Sequence, residues 1–335
     1  MTVYCLVRAD STEQALQRVV ASLASHDLWK ADYEPLLYPI VGDMAQPLLG
    51  LQKEDFDSLA NRVDIVCHSG GLVDWVRPLE DYIGPNIVST HELLRLTSQG
   101  RSKALHLIST ISTLPKYLGY ELKEGHGEYG YATSKYAAER MVAAARWRGA
   151  RASIYRLPFV TASSTTGHFR LDRGDFLHNF ISGCLEMGAF PILDADLAAV
   201  LPVDYLSETI VALMTQDPGR GFKDYDFANA SPISFRHFFE LMGAASTGQE
   251  LLPFLTWRER ALDYAVVHRA SPLARITALI DGVTDTKAAA ALFTSPKVGE
   301  CVLGGESYPV PVIDQETVRS YVTRIDAVRR NRSVG

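Results

Sequence analysis

An α/β fold built on a doubly wound parallel sheet follows from three features of the sequence. Short apolar runs recur at residues 3–7, 36–41, 63–67 and 105–108, with the length and composition of strands buried in a parallel sheet. Longer segments with apolar residues at helical spacing lie between them, and the alternation holds as far as Val160. After Pro158 the character changes to loops and aromatic helical segments, which predicts a second, smaller and mostly helical subdomain.

The elements can be justified in order. The run 3–7 is closed by Arg8; Asp10-Ser11 then precede a helix whose apolar residues Leu16, Val19, Val20 and Leu23 share one face. Ser11 with Gln14 has the form of a capping box. The run 36–41 ends in Gly42-Asp43-Met44, and the run 63–67 in His68-Ser69-Gly70-Gly71. Glycines after a strand let a backbone approach a ligand closely, or make a plain turn. His68 reads as a packed strand-end residue rather than a base. Pro85-Asn86 opens a helix carrying Ile87, Leu93, Leu94 and Leu96. Residues 105–108 pass into Ser109-Thr110-Ile111-Ser112-Thr113, and a helix starts at 129–135. Beyond Pro158, a small-polar loop (161–167) and Asp172-Arg173-Gly174-Asp175 precede a helix over 176–187. Asp204 is placed to cap a helix that starts at 202–205, and 227–230 has the look of a returning strand. Helical segments around 235–242, 257–267 and 318–325 complete the chain. The expected division is a sheet domain over 1–160, to which 201–230 returns, and a substrate-binding subdomain over 161–200 and 231–335.

Composition narrows the class. With 335 residues, 47% of them hydrophobic and 21% charged, the chain has ample material for a core. A net charge of −6 gives no reason to propose a nucleic-acid surface. No apolar run reaches the ~18 residues of a membrane span. Cys5, Cys67, Cys184 and Cys301 are scattered, with no CxxC or Cys/His cluster for zinc, so a reduced cytoplasmic protein without a metal is expected. The sequence does not disclose an oligomeric state.

The chemistry centres on Tyr131 and Lys135, four residues apart and so one turn apart on one helix face. A phenol titrates near 10, and an adjacent ammonium stabilises the phenolate. Thr110, at a strand end about twenty residues upstream, adds a hydroxyl that can hold a substrate carbonyl oxygen. The same spacing also arises by chance, with Tyr131 a surface aromatic.

ISTIST (108–113) followed by YGYATSKYAAERM (129–141) resembles the extended short-chain dehydrogenase/reductase superfamily. Within it, the match is to the thioester reductase domains that end nonribosomal peptide and polyketide synthases and carboxylic acid reductases. VYCLVRA (3–9), PIVGDMAQPLLGL (39–51), VDIVCHSGG (63–71), PNIVSTHELLRL (85–96), IYRLPFV (154–160) and LPVDYLSETIVAL (201–213) extend it in the same order. The resemblance implies a Rossmann-like domain, NADPH as cofactor and a substrate held on a phosphopantetheinyl carrier protein. It further implies reductive release of an acyl or peptidyl thioester to an aldehyde or alcohol. By the same resemblance Thr110 and Tyr131 stabilise the oxyanion, Tyr131 is the acid, and Lys135 holds the nicotinamide ribose. Arg8, with Arg18 as a second contact, accommodates the 2′-phosphate, unless Arg8 is simply an exposed strand-end residue. Asp43 and Met44 lie against the adenine, Ser69 and Gly70 beside the linking ribose and phosphates, and Pro158 joins the cofactor set.

VYCLVRA matches that family's second strand, so the glycine-rich first unit, on the order of 25–30 residues, has no counterpart here, and no GxGxxG replaces it. The expectation is a sheet lacking its first strand, with two strand edges exposed. Three other readings stay open: a redox-independent cyclising release domain, a cofactor-free Rossmann module that binds a partner, and a nucleotide-sugar epimerase or steroid-type dehydrogenase of the same superfamily.

Overall fold

The computed structural model describes residues 1–74, 77–114, 130–169, 176–197, 199–215, 222–229, 232–245, 248–293, 301–302 and 314–332. In chain order, β1 (Val3–Val7) and α1 (Thr12–Ala24) are followed by β2 (Leu37–Val41), α2 (Lys53–Arg62) and β3 (Ile65–His68). A short α3 (Glu80–Tyr82) passes through a π-helical turn, Ile83–Val88, into α4 (Ser89–Ser98). Then come β4 (Ala104–Thr110), α5 (Gly130–Trp147), β5 (Ala152–Leu157) and β6 (Phe159–Thr161). Next are α6 (Phe176–Met187), β7 (Ala189–Ile192), β8 (Val200–Pro202), α7 (Val203–Thr215) and β9 (Asp224–Phe227). The last are α8 (Phe235–Ala245), β10 (Glu250–Pro253), α9 (Phe254–Val267), α10 (Thr277–Gly282), α11 (Thr286–Phe293), β11 (Cys301–Val302) and α12 (Gln315–Arg332).

The centre is a five-stranded, all-parallel sheet in the order β11-β9-β5-β4-β3. The pleat of β5 shows that both faces are covered. Ile154 joins a cluster with Leu105, Leu107, Phe56 and Val142, under α2, α4 and α5. Tyr155, the next residue, joins Phe227, Tyr205 and Leu206 under α7. Each such Leu or Ile contributes about 1.5–3 kcal/mol by leaving water. The fold is therefore the Rossmann-like α/β sheet that the alternation predicts. β1 and β2 form a parallel pair of their own, Val3 opposite Leu37 and Val7 opposite Val41. Among the described residues no ladder joins this pair to β3. It is held by Tyr4, Leu6 and Ile40 packing on the first cluster, and by the Arg62 guanidinium 5.0 Å from the Tyr4 ring centre. The largest cluster lies in the C-terminal part, where Phe176, Phe180, Phe235, Trp257 and Phe293 meet between α6, α8, α9 and α11. A parallel pair, β7 with β10, is built into this mostly helical region. No helix among the described residues is long and apolar enough to cross a membrane.

Several local expectations are corrected. Gln14 does not complete a capping box: Ser11 Oγ accepts from Gln14 N at 3.1 Å, but the Gln14 side chain reaches back to Asp10 N, at 2.7 Å. Pro85-Asn86 does not open a helix, because helical structure begins at Glu80 and Pro85 lies inside the π turn. The wider turn absorbs a residue that has no N–H to give. The returning strand ends at Phe227 rather than starting there. Its charged Asp224 and Asp226 conceal it in the sequence, and arginines on α5 and β5 neutralise them. Asp204 is within the first turn of α7, where its Oδ1 accepts from Tyr205 N at 3.1 Å, and it also clamps the 161–167 loop. Ala230, Tyr129 and residues 172–175 lie outside the described residues.

Candidate active site

Parallel strands deliver their C-terminal ends to one edge, where such sheets hold ligands. Along that edge lie Ser69-Gly70-Gly71 after β3, Thr110 as the last residue of β4, and Pro158, buried, after β5. Thr110 Oγ1 accepts from Ser112 N at 3.2 Å, which caps the turn that follows and fixes the hydroxyl at the strand end.

α5 brings the other two groups. Lys135 is 5% exposed, and its Nζ donates to Ile108 O at 2.9 Å, two residues before Thr110. Burial pushes its pKa down to about 8, with the Glu139 carboxylate opposing the shift. Tyr131 is half-buried, its ring centre 6.3 Å from that of Tyr82. Its carbonyl accepts from Ser134 Oγ at 2.7 Å. Asn86 stitches this helix to the glycine turn: Nδ2 donates to Ser134 Oγ at 2.9 Å and to Leu72 O at 3.1 Å, and Oδ1 accepts from Leu72 N at 2.7 Å. Asn86 is thus a clamp rather than the helix-start residue expected of it.

Gly71 has φ +148°, and a Cβ there would sit 2.8 Å from Asn86 Oδ1 and 3.6 Å from Lys135 Nζ. A side chain is excluded, which leaves a bare backbone strip beside the ammonium. That is a cradle a sugar hydroxyl can enter, so these residues fit the ribose end of a nicotinamide dinucleotide. Met44 belongs to the same rim, its Cε 2.4 Å from where a Gly70 Cβ would stand. Asp43 instead turns inward on its own loop, Oδ1 accepting from Ala45 N at 2.9 Å.

Arg8 and Arg18 sit apart, on the β1–α1 unit rather than the five-stranded sheet. Both are exposed, and the Arg18 guanidinium donates to the Arg8 carbonyl, tying helix to strand. Gly42 N bonds Val7 O at 3.1 Å, so Arg8 adjoins the turn that carries Asp43 and Met44. His68 is 3% exposed, bonded through Nε2 to Ser89 Oγ at 3.0 Å, and burial lowers its pKa to about 3. It is packed and neutral at physiological pH. Two residues escaped the sequence reading: Glu139 and Arg156, which meet behind Lys135. The available signal was a third polar position, four residues after Lys135 on the same face.

Residues 1–210 match the model of an NAD-binding family described as "Male sterility protein". The chain belongs to this family. Other similarities agree with that membership. The PKS-NRPS hybrid synthetase acdB of Aspergillus candidus is 51% identical over 325 residues, which is 96% of this chain and 13% of that protein. The L-2-aminoadipate reductase large subunit of Eremothecium gossypii is 31% identical over 280 residues, 77% of this chain and 20% of that protein. The chain therefore spans an eighth to a fifth of these relatives. Among solved structures, the terminal R domain from the myxalamid PKS-NRPS biosynthetic pathway superposes with a TM-score of 0.82 at 29% identity, covering 98% of this chain and 84% of that one. The matched residues 1–210 include Thr110, Tyr131 and Lys135, and a nicotinamide dinucleotide is the cofactor class that the family brings.

Proposed function

We propose that the protein is an NADPH-dependent reductase that releases a carrier-protein-bound acyl or peptidyl thioester as an aldehyde or alcohol. The observation that carries this reading is the meeting of Lys135 Nζ, the bare Gly71 backbone and the β4 end bearing Thr110. The likeness to a terminal R domain and to an aminoadipate reductase supplies the substrate class. NADPH, when bound, supplies the hydride. Arg8 and Arg18 on the β1–α1 unit favour the 2′-phosphorylated form, and Met44, Ser69, Gly70 and Pro158 line the remaining cofactor path, with Asp43 holding the turn that carries Met44. Lys135 anchors the ribose and favours the phenolate of Tyr131. Thr110 and Tyr131 donate to the carbonyl oxygen as charge develops on it. Tyr131 delivers the proton, giving a hemithioacetal whose C–S bond then breaks to leave the carrier thiol and an aldehyde. A second reduction of the aldehyde yields the alcohol.

The test is turnover of an acyl thioester of phosphopantetheine with and without NADPH, in wild type and Tyr131→Phe. Aldehyde or alcohol forms only with NADPH, and the substitution lowers kcat by about 10²-fold or more with NADPH affinity nearly unchanged. Product release without NADPH, or activity within a few-fold of wild type in Tyr131→Phe, overturns the assignment.

A further inference from the structure

Among the buried acids that the proposed catalytic groups leave unused, Glu139 stands on the same helix as Tyr131 and Lys135. It lies one helical turn beyond Lys135 on α5, with 5% of its surface exposed. A carboxylate buried this deeply requires compensation, and the way it is compensated reaches the site. Its oxygens accept from the Ser109 hydroxyl, from Thr113 Oγ1 at 2.8 Å, and from Arg156 Nε and Nη2 at 2.9 and 2.7 Å. Ser109 directly precedes Thr110, and Thr113 Oγ1 also lies 2.8 Å from the Thr110 carbonyl oxygen. One carboxylate therefore binds both flanks of Thr110 to the helix that carries Tyr131 and Lys135. Arg156, on β5, is held from behind by Asp226 at 3.0 Å and Asp224 at 2.8 Å, both on β9. Asp224 is in turn paired with Arg146 of α5 at 2.6 Å.

We propose that Glu139 is a positioning residue for this site, locking the Tyr131–Lys135 face of α5 to the Thr110 end of β4 and serving as counter-charge to the Lys135 ammonium. The inference rests on the reductase reading for its catalytic consequence, but its electrostatic half stands alone. Among the described residues the groups facing Lys135 are few. β3 presents His68, neutral because burial and the lysine itself depress its pKa. β4 presents the Ile108 carbonyl, the π turn presents Asn86, and α5 presents Tyr131 and Glu139. Glu139 alone among these is anionic, and it opposes the fall in the lysine pKa that burial causes.

Glu139→Gln keeps the shape and removes the charge. Glu139→Gln/Arg156→Met/Asp226→Asn removes the arginine together with both buried carboxylates that it serves, a replacement that buried ion networks often tolerate, while Asp224 keeps Arg146; it removes one net negative charge and so provides a folded protein if the single variant fails. Two readouts apply. Lysine-labelled protein, with the Lys135 signal assigned through Lys135→Arg, gives the Lys135 titration by NMR without any turnover. In either variant its midpoint falls by about one unit. In turnover of the acyl thioester, the alkaline limb of kcat moves down by the same amount and kcat at pH 7 drops about twofold, as the protonated fraction of the lysine falls from about nine-tenths to about one half, with KM within twofold. Ser109→Ala/Thr113→Val, which unties the strand end but keeps the charge, lowers kcat without moving the titration. An unmoved Lys135 midpoint in a folded variant overturns the proposal, as does a loss of thermal stability with the pH profile of kcat unchanged. Wild-type protein without NADPH-dependent turnover overturns the reductase reading instead, and the NMR titration still decides the role of Glu139.

Discussion

At the scale of single residues, Lys135 shows how the site trades stability for chemistry. Its pKa is lowered from 10.5 to about 8, so the fold disfavours the charged form. Below about pH 8 the lysine is protonated in folded and unfolded chains alike, and the folded state bears the full desolvation cost. Between about 8 and 10.5 the unfolded chain binds more protons, so stability rises with pH and the cost disappears. A shift of this size corresponds to about 3 kcal/mol at most, from which the lost bond to Ile108 O subtracts about 1–2 kcal/mol. Lys135→Met is therefore expected to be more stable than wild type at pH 7 by about 1–2 kcal/mol, while losing activity. The advantage should vanish near pH 10. Chemical denaturation at pH 7 and pH 10 checks it; a variant less stable at pH 7 would show that the ammonium is better compensated than its burial suggests. The Tyr131–Lys135 pair was legible in the sequence because its geometry is set within one turn of one helix. Glu139 with Arg156 was not, because the pair joins residues 17 apart in sequence and Arg156 reaches Asp226, 70 residues on. No local spacing encodes such contacts.

At the scale of elements, loops and helix ends depart most from the sequence reading. Apolar composition declares the first strands, and β1 to β4 fall within a residue or two of where their apolar runs lie. β9 is half acidic and reads as a strand only once Arg146 and Arg156 are known to face it. Asp204 is the sharpest case, because an acid at a helix start normally serves that helix. Here it serves its own helix through Tyr205 N at 3.1 Å and at the same time accepts from Ser164 N at 3.0 Å, Thr165 N at 3.1 Å and Ser163 Oγ at 2.8 Å, 39 to 41 residues back. Partial burial works against the charge, but these donors outweigh it and hold the pKa at about 2. The carboxylate's contribution is thus fully present above its ordinary value of 3.8 and is lost as pH falls through about 2. Asp204→Ala strands three backbone donors and should cost about 1–3 kcal/mol at pH 7, with the gap to wild type closing at about pH 2. Thermal melts of both proteins from pH 7 down to pH 2 measure this. A gap independent of pH would mean that packing, not charge, holds the loop.

At the scale of the whole molecule, the parallel strands fall into unequal groups. β4 has a neighbour on each side, β3 and β5, and its Leu105 and Leu107 are fully buried. Among the described residues β1 and β2 pair only with each other, and the pair leaves Val3 at 37% and Tyr38 at 46% exposure. Two strands without further pairing are marginal in water, and here the pair depends on the side chains of Tyr4, Leu6 and Ile40 against the main cluster. Opening it breaks one ladder and exposes little of the core, whereas opening β4 breaks two ladders and empties the cluster beneath. The free energies for local opening must then differ by several kcal/mol, because opening of a unit scales with the contacts it gives up. Amide exchange followed by mass spectrometry should find the slowest amides in β4 and β5, and those of β1 and β2 faster by about 10²-fold or more. A 2′-phosphate contact built on Arg8 would sit on this less protected unit, so saturating NADPH should slow exchange in β1 and β2 more than in β4. Equal protection of the two groups without ligand would show that β1 and β2 are bound into the sheet as firmly as its centre.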